Sequence, residues 1–303
     1  MEIRNVLVTG GAGFFGRAFA RYVLERDMVE RLCIFSRGEH SQADMREKLG
    51  DDPRLRFFVG DIRDIDRLTR AMQGVDLVVH AAALKRVEVG RYNPEEMVKT
   101  NILGALNLVA AARVAHVDRV VALSTDKAFQ PCSAYGTSKA MMEQVVLAAN
   151  ENSGASGPKF VVTRYGNVFG SSGSILPKWW AMIQAGATRV PVSDPECTRF
   201  LMTMEEAVDL VIGAAAHIAP GKIAVPKLPA YRVGDLAEAL DVEMNVIGLP
   251  IWEKRHESME ADNCSQTAPR LSVSDLAGHI NTWIARGTGG TSPDLREVFK
   301  HAS

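Results

Sequence analysis

Cysteine is sparse and scattered in this chain. Cys33, Cys132, Cys197 and Cys264 are its only four in 303 residues. No Cys-x-x-Cys pair and no Cys/His metal spacing occurs, which excludes a zinc module and argues against a disulfide framework. The thiols read as reduced, in a cytoplasmic protein. No apolar run approaches the roughly 18 residues of a transmembrane helix. The first strand-like stretch begins close to Met1, so a chain without a secretory leader is expected. Net charge is −1, without the basic excess of a nucleic-acid binder. No internal repeat is visible. Hydrophobic content of 47% suffices for a core and is too low for a membrane protein. The length fits one large or two modest domains.

What is present begins at the N-terminus. Ile3 to Thr9 reads as a short buried strand, rich in β-branched and apolar residues. It runs into Gly10-Gly11-Ala12-Gly13-Phe14-Phe15-Gly16 and then a helical pattern from Arg17 to Arg26. Strand, glycine turn and helix in that order form the context of a dinucleotide-binding fingerprint. Gly10 permits the tight turn, Gly13 lets backbone approach a pyrophosphate at the helix N-terminus, and Gly16 allows close packing. Phe14 and Phe15 open that helix. The second strand, Arg31 to Ser36, ends at Ser36-Arg37. An acidic residue there would suit the ribose of NAD; a hydroxyl and a guanidinium suit the 2′-phosphate of NADP. NADP is the expected cofactor, with a solvated surface arginine as the alternative.

Strand patterns continue at Leu55–Val59, Leu77–His80, Arg119–Ser124 and Phe160–Thr163. Helical patterns lie between them at Asp64–Met72, Glu95–Ala115 and Ala134–Glu151. This alternation predicts an α/β fold, a doubly wound parallel Rossmann sheet with helices on both faces. Past Tyr165 the pattern loosens, with helices expected at 177–185, 203–218 and 233–240. The expected organisation is a dinucleotide-binding domain over 1–165, a smaller C-terminal α/β substrate-binding domain over 166–280, and a mobile tail over 281–303 that includes Gly287–Pro293.

The chemistry-bearing stretch is Ser124-Thr125-Asp126-Lys127, followed by Tyr135-Gly-Thr-Ser-Lys139. Oxidising a sugar alcohol needs the hydroxyl, the tyrosine and the second lysine. The additional Asp126-Lys127 supplies an acid and a base, the equipment for eliminating water beside a new ketone. Asp61 of Gly60-Asp61-Ile62 closes the third strand and is placed to accept from an adenine amino group; a helix N-cap at Asp61 or Asp64 is the alternative. Ala81, Ala82 and Ala83 let backbone lie against a dinucleotide, and Lys85 follows as a substrate contact or a surface lysine. Asn101, inside an apolar helical run, holds a backbone group or water near Tyr135, or makes a purely structural bond. Residues 164–177 form a polar, Gly-rich loop at a strand's carboxyl end. Arg199 is available for a diphosphate. Ile251 to Glu257, read alone, is a solvated charged face.

Taken together, these motifs resemble the extended short-chain dehydrogenase/reductases. Within them the chain is similar to the nucleotide-sugar 4,6-dehydratases acting on UDP-N-acetylglucosamine, including inverting enzymes of pseudaminic-acid and capsule pathways. The resemblance runs from Val6 to about Leu276. It is carried by His80-AAALK85, Lys99-Thr-Asn101, Leu123-STDKA128, Tyr135-GTS-Lys139, Arg164-YGNVFGS171, Gly173-SIL-Pro177, Thr198-RF200 and Glu253-KRH-Glu257. It implies that Tyr135, acidified by Lys139 and NADP, takes the proton of the sugar 4-hydroxyl, oriented by Thr125. Lys127 then removes the C5 proton and Asp126 protonates the departing 6-hydroxyl. Asn167 and Arg199 contact the diphosphate, Glu257 lies near uridine, and Lys85 and Pro177 complete the substrate residues. A homo-oligomer built on the helices Glu95–Ala115 and Ala134–Glu151 is implied as well. Ile251-Trp252 replaces a usual Pro-Gly, and Ser172 a frequent basic residue.

The expected reaction turns UDP-N-acetylglucosamine into a UDP-4-keto-6-deoxy-N-acetylhexosamine, with C5 stereochemistry left open. A 4-epimerase, or a dehydratase of another nucleotide sugar, is the alternative enzyme; a catalytically silent NADP-binding regulator is the alternative of another class. Asp126 and Lys127 argue against the epimerase, and the intact set with Tyr135 and Lys139 argues against the regulator.

Overall fold

The computed structural model describes residues 3–154 and 156–286, so the expected loop at 287–293 lies outside the described residues. The chain divides into two compact units. Unit 1 takes the chain up to Arg164 together with Glu205–Pro226, and unit 2 takes Tyr165–Met204 and the chain from Lys227 on.

Unit 1 is built on a seven-stranded parallel sheet. Its elements are β1 (Asn5–Thr9), α1 (Phe14–Glu25), β2 (Arg31–Ser36), α2 (Glu39–Leu49), β3 (Leu55–Val59), α3 (Ile65–Ala71), β4 (Leu77–His80), α4 (Val87–Tyr92), α5 (Pro94–Met97), α6 (Gly104–Val114), β5 (Arg119–Thr125), α7 (Ala134–Glu151) and β6 (Lys159–Tyr165). Strand order is β3-β2-β1-β4-β5-β6, extended by β9 (Ile223–Ala224). Val6, Leu7 and Val8 are all inaccessible to solvent. A strand covered on both faces carries such a continuous apolar run rather than an alternating one. The order reverses between β1 and β4, so the crevice for a ligand opens beyond the carboxyl ends of these two strands.

The expected helix Glu95–Ala115 is interrupted. Between α5 and α6 the backbone widens into a π-helical turn, Val98–Leu103. Asn101 lies within the widened turn. Its Oδ1 accepts from Leu84 N at 2.8 Å, and its Nδ2 donates to Leu84 O at 2.9 Å and to Ser138 Oγ at 2.9 Å. The extra residue in the turn swings this amide inward, as π-bulges often do beside sites.

Unit 2 contains α8 (Ile175–Gln184), β7 (Arg189–Val192), β8 (Thr198–Phe200), β10 (Ala230–Arg232), α10 (Val233–Ala239), β11 (Glu243–Val246), β12 (Ser258–Glu260), β13 (Asn263–Cys264) and α11 (Val273–Ala285). Its core joins Leu176, Trp179, Val190, Tyr231, Leu276 and Trp283. β8 pairs antiparallel with β10, and β7 pairs parallel with β11.

Two expected boundaries differ. The sequence pattern places residues 205–226 in the second domain, yet they belong to unit 1, because α9 (Met204–His217) leads into β9 and β9 adds to the edge of β6, Val162 opposite Ile223. Residues 281–286 were assigned to the tail, yet most of them complete α11, which starts with a capping box of Ser272 and Asp275 and buries Leu276, Ile280 and Trp283. Among the described residues, no helix is long and apolar enough to cross a membrane.

Candidate active site

In unit 1 the crevice at the strand reversal is lined by backbone. A Cβ on Gly10, where φ is +67°, would lie 2.8 Å from Ala82 N and 2.9 Å from Ala81 C. Only glycine tolerates both the conformation and that approach. At Gly16 a Cβ would lie 2.3 Å from Gly11 O, so α1 packs directly on the turn that precedes it. Gly13 is the exposed N-cap of α1 and no side chain caps that end, leaving the first N–H groups of a twelve-residue helix for an anion. Phe14 and Phe15 begin the helix, half-buried. These residues fit a dinucleotide.

At the end of β2, Ser36 Oγ accepts from Gln42 Nε2 at 2.9 Å, and Arg37 is well exposed. Arg37 Nη1 lies 4.0 Å from Asp61 Oδ2. Asp61 itself is gripped by Arg63, through Nη2 at 2.7 Å and Nε at 3.0 Å. Burial opposes ionisation of Asp61, but the Arg63 bonds and the Arg37 charge hold its carboxyl below the usual range. The N-cap role falls to Asp64, whose Oδ1 accepts from Arg67 N at 2.9 Å. Ile62, expected as a cofactor contact, has its side chain in the core, under Gly104. Only its main chain remains to face a ligand.

The catalytic candidates converge where β5 ends and α7 begins. A short 3₁₀ turn, Asp126–Ala128, follows β5. Thr125 Oγ1 donates to Asp126 Oδ1 at 2.9 Å, and Lys127 Nζ donates to the same oxygen at 3.0 Å. Asp126 is buried and the Lys127 side chain is partly open to solvent. Tyr135 and Lys139 lie one turn apart on α7, whose N-cap Ser133 accepts from Gly136 N. Ser138 Oγ donates to Tyr135 O at 2.8 Å, so the Asn101 amide reaches the first turn of α7, which carries Tyr135, through Ser138.

The expectation that Lys139 acidifies Tyr135 is not met by the protein alone. Burial pushes the Tyr135 phenol up to about 12; Lys127 and a hydrogen bond with Thr125 oppose this, and Asp126 adds to it. Burial likewise pushes Lys139 down to about 8, against the opposing charge of Glu143. His80, at the end of β4, is held down to about 3 by burial and by Lys139. Its Nδ1 meets Thr9 Oγ1 at 2.7 Å. Lys85 is exposed at its surface; surrounding protein and Arg86 still lower its ammonium from the ordinary range.

In unit 2, Asn167 and Arg199 line a cavity of about 140 Å³ together with Ser193, Cys197 and Glu253. Arg199 is buried. It donates to Glu253 Oε1, to Thr198 O at 2.8 Å and to Arg255 O at 3.1 Å. Glu253 also accepts from Ser193 Oγ at 3.0 Å. Glu257 is buried, with Lys254 Nζ 3.3 Å away. The charged run read as a solvated face thus turns Glu253 and Glu257 inward, because β8 supplies an arginine to meet them. Burial alone would lower the Arg199 charge; Glu257 and Glu253 reverse that and raise it. Pro177 is half-buried in the first turn of α8. Ser193 is not singled out in the sequence; Glu253 stands there only as part of the charged run and of the Glu253-KRH-Glu257 motif.

A family model described as polysaccharide biosynthesis protein matches residues 6–273. A UDP-N-acetylglucosamine 4,6-dehydratase (inverting) from Campylobacter jejuni is 41% identical, over 99% of this chain and 92% of that protein. A UDP-glucose 4-epimerase from Rickettsia bellii is 40% identical, over 84% of this chain and 77% of that protein. The solved structure of DesIV from Streptomyces venezuelae, a dTDP-glucose 4,6-dehydratase with NAD bound, superposes with a TM-score of 0.78 at 25% identity, covering 93% of this chain and 98% of that one. With the sheet order, the glycine turn and the Tyr135–Lys139 pair in place, the chain belongs to the polysaccharide biosynthesis protein family of extended short-chain dehydrogenase/reductases.

Proposed function

We propose that this chain is a nucleotide-sugar 4,6-dehydratase acting on UDP-N-acetylglucosamine. The observation that carries the reading is the contact between Asp126 and Lys127 beside Thr125. Epimerisation at C4 needs only a hydroxyl, a tyrosine and a lysine. An acid and a base 3.0 Å apart are surplus to it and are what loss of water from C5 and C6 requires.

The bound dinucleotide supplies a hydride acceptor that later returns the hydride. The residues do the rest. Thr125 orients the 4-hydroxyl, and Tyr135 takes its proton as the phenolate, the form that Lys139 and the charge of the bound dinucleotide would favour. The 4-ketone acidifies C5–H, and neutral Lys127 removes that proton. Asp126, protonated, gives its proton to the departing 6-hydroxyl, which leaves as water. The pair begins the elimination with one proton between the two groups. Moving that proton along the contact converts Asp⁻/Lys⁺ into the acid and base needed. Elimination restores the ion pair. Asn167 and Arg199 hold the diphosphate, Glu257 lies on the uridine side, and Lys85 and Pro177 contact substrate. Incubation with UDP-N-acetylglucosamine, followed by alkaline ultraviolet absorbance and product analysis, tests the assignment. A 4-keto-6-deoxy product supports it, and UDP-N-acetylgalactosamine as sole product favours the epimerase reading that the Rickettsia relative suggests.

The finer cofactor assignment is NADP, supported by Ser36 and the exposed Arg37; Gly10, Gly13, Asp61 and Ala81–Ala83 line its path. Arg37→Asp is expected to shift preference toward NAD. The check is the dinucleotide released on denaturation of each protein and its ratio of activities with the two cofactors. Chiefly NAD released from the unsubstituted protein overturns the NADP assignment.

The reading also takes the enzyme as cytoplasmic and homo-oligomeric. Exposed Val98, Leu103, Leu106 and Val114 on the α5–α6 segment, with Met141 on α7, support helix-mediated association. Light scattering at micromolar concentration is expected to give at least a dimer, and Leu106→Glu to weaken it. A monomeric parent protein rejects this.

A further inference from the structure

Arg164 stands near the end of β6, and the reaction as written makes no use of it. Its Nε and Nη2 grip Glu143 Oε1 and Oε2 at 2.9 and 2.6 Å. Glu143 is buried and Arg164 is largely covered, their side chains 2% and 11% accessible. Glu143 lies one helical turn beyond Lys139 on α7, on the same face. The guanidinium also sits over the Phe129 ring, 5.8 Å from its centroid. Phe129 directly follows the turn Asp126–Ala128. Arg164 therefore contacts both the helix that carries Tyr135 and Lys139 and the segment that carries Asp126 and Lys127. A buried ion pair is a poor source of net stability, because desolvation offsets its attraction. The pair also places a carboxylate beside a buried lysine that must keep its charge.

We propose that Arg164 and Glu143 are a positioning pair, which holds the oxidising and the eliminating groups to one strand end and keeps the Lys139 ammonium charged. The proposal rests on the dehydratase reading for its purpose. On α7, Glu143 favours the Lys139 charge, and in the protein without bound dinucleotide Tyr135 is a neutral phenol. From β4, His80 is neutral. Asp126 and Lys127, after β5, offset one another. From β6, Arg164 shares the Glu143 carboxylate and so limits how far it supports Lys139. Burial pushes Lys139 down to about 8, so loss of Glu143 brings its titration into the working range.

The test follows the Cε resonance of Lys139 in protein labelled with ¹³C-lysine, assigned with Lys139→Arg, alongside the pH profile of kcat/KM. In Glu143→Gln the Lys139 titration is expected to fall by about 1 pH unit or more. The alkaline limb of activity moves with it, while KM for UDP-N-acetylglucosamine changes little. Glu143→Asp restores most of the parent titration. Glu143→Leu with Arg164→Leu recovers folding, since a buried pair is replaced by apolar groups, but leaves the titration low. An unmoved Lys139 titration in Glu143→Gln, or a parent-like alkaline limb in the double variant, overturns the proposal. Should the parent protein not turn over UDP-N-acetylglucosamine, the dehydratase reading fails by itself, and the Lys139 resonance still decides the pair.

Discussion

Lys127→Ala is expected to oxidise C4 and then stop. Elimination falls by the 10²–10⁴-fold typical of losing one general base, while the 4-ketone and reduced cofactor accumulate transiently. Tyr135→Phe blocks every step, because no proton leaves the 4-hydroxyl. The geometry sharpens the first variant. Lys127 is the cation that opposes the high position of the Tyr135 phenol. Without it the phenol moves further up, so the oxidation that survives in Lys127→Ala sets in at higher pH than in the parent enzyme. Asp126 stays buried, with Thr125 Oγ1 2.9 Å from its Oδ1. The measurement is single-turnover absorbance at the band of reduced nicotinamide, with deuterium incorporation at C5 from heavy water. Parent-like elimination in Lys127→Ala, with deuterium entering C5 at the usual rate, shows that the base lies elsewhere.

Arg199→Ala has the largest expected effect on stability. Its guanidinium is buried and bonded to Glu253, Thr198 O and Arg255 O, and its charge faces the buried Glu257 as well. Removing it takes one cation away from the buried Glu257 carboxylate, which Lys254 Nζ approaches to 3.3 Å. Breaking a buried pair from one side costs about 3–5 kcal/mol. Glu253→Gln, which keeps a hydrogen-bond acceptor on a partly exposed side chain, is expected to lose far less. Urea denaturation followed by Trp fluorescence reads this in unit 2, where Trp179 and Trp283 are buried. Calorimetric titration with UDP reads the second consequence, since Arg199 is also assigned to the diphosphate. Unchanged urea midpoint and unchanged UDP affinity in Arg199→Ala contradict both.

The part of the site on contiguous sequence was legible before the fold was known. Thr125, Asp126 and Lys127 are consecutive, and Tyr135 and Lys139 are one helical turn apart. Their chemistry is local and needs only the end of one strand and the start of one helix. The glycine turn after β1 was legible for the same reason. That the Ile62 side chain enters the core was not legible, because a dipeptide at a strand end gives no sign of which residue faces inward. Read alone, the run Ile251 to Glu257 looks solvated, because nothing local shows that a distant strand offers a buried arginine to Glu253 and Glu257. The helix expected over Glu95–Ala115 has an unbroken helical pattern. Asn101 breaks it only because Leu84 and Ser138, far away in sequence, take up its amide.

The sequence by itself determined the parallel α/β architecture, through continuous apolar strands alternating with helices, and the reaction type, through an acid and a base set beside a Tyr-xxx-Lys pair. Tertiary structure alone decided the rest. It returned residues 205–226 to the first unit, because β9 finds its hydrogen-bond partners on β6. It set the Tyr135 phenol high and the Lys139 ammonium low, because burial depends on what packs around a group and not on its neighbours in sequence. It joined Arg164 to Glu143, 21 positions apart, since ion pairs between elements form where strand ends and helix faces meet.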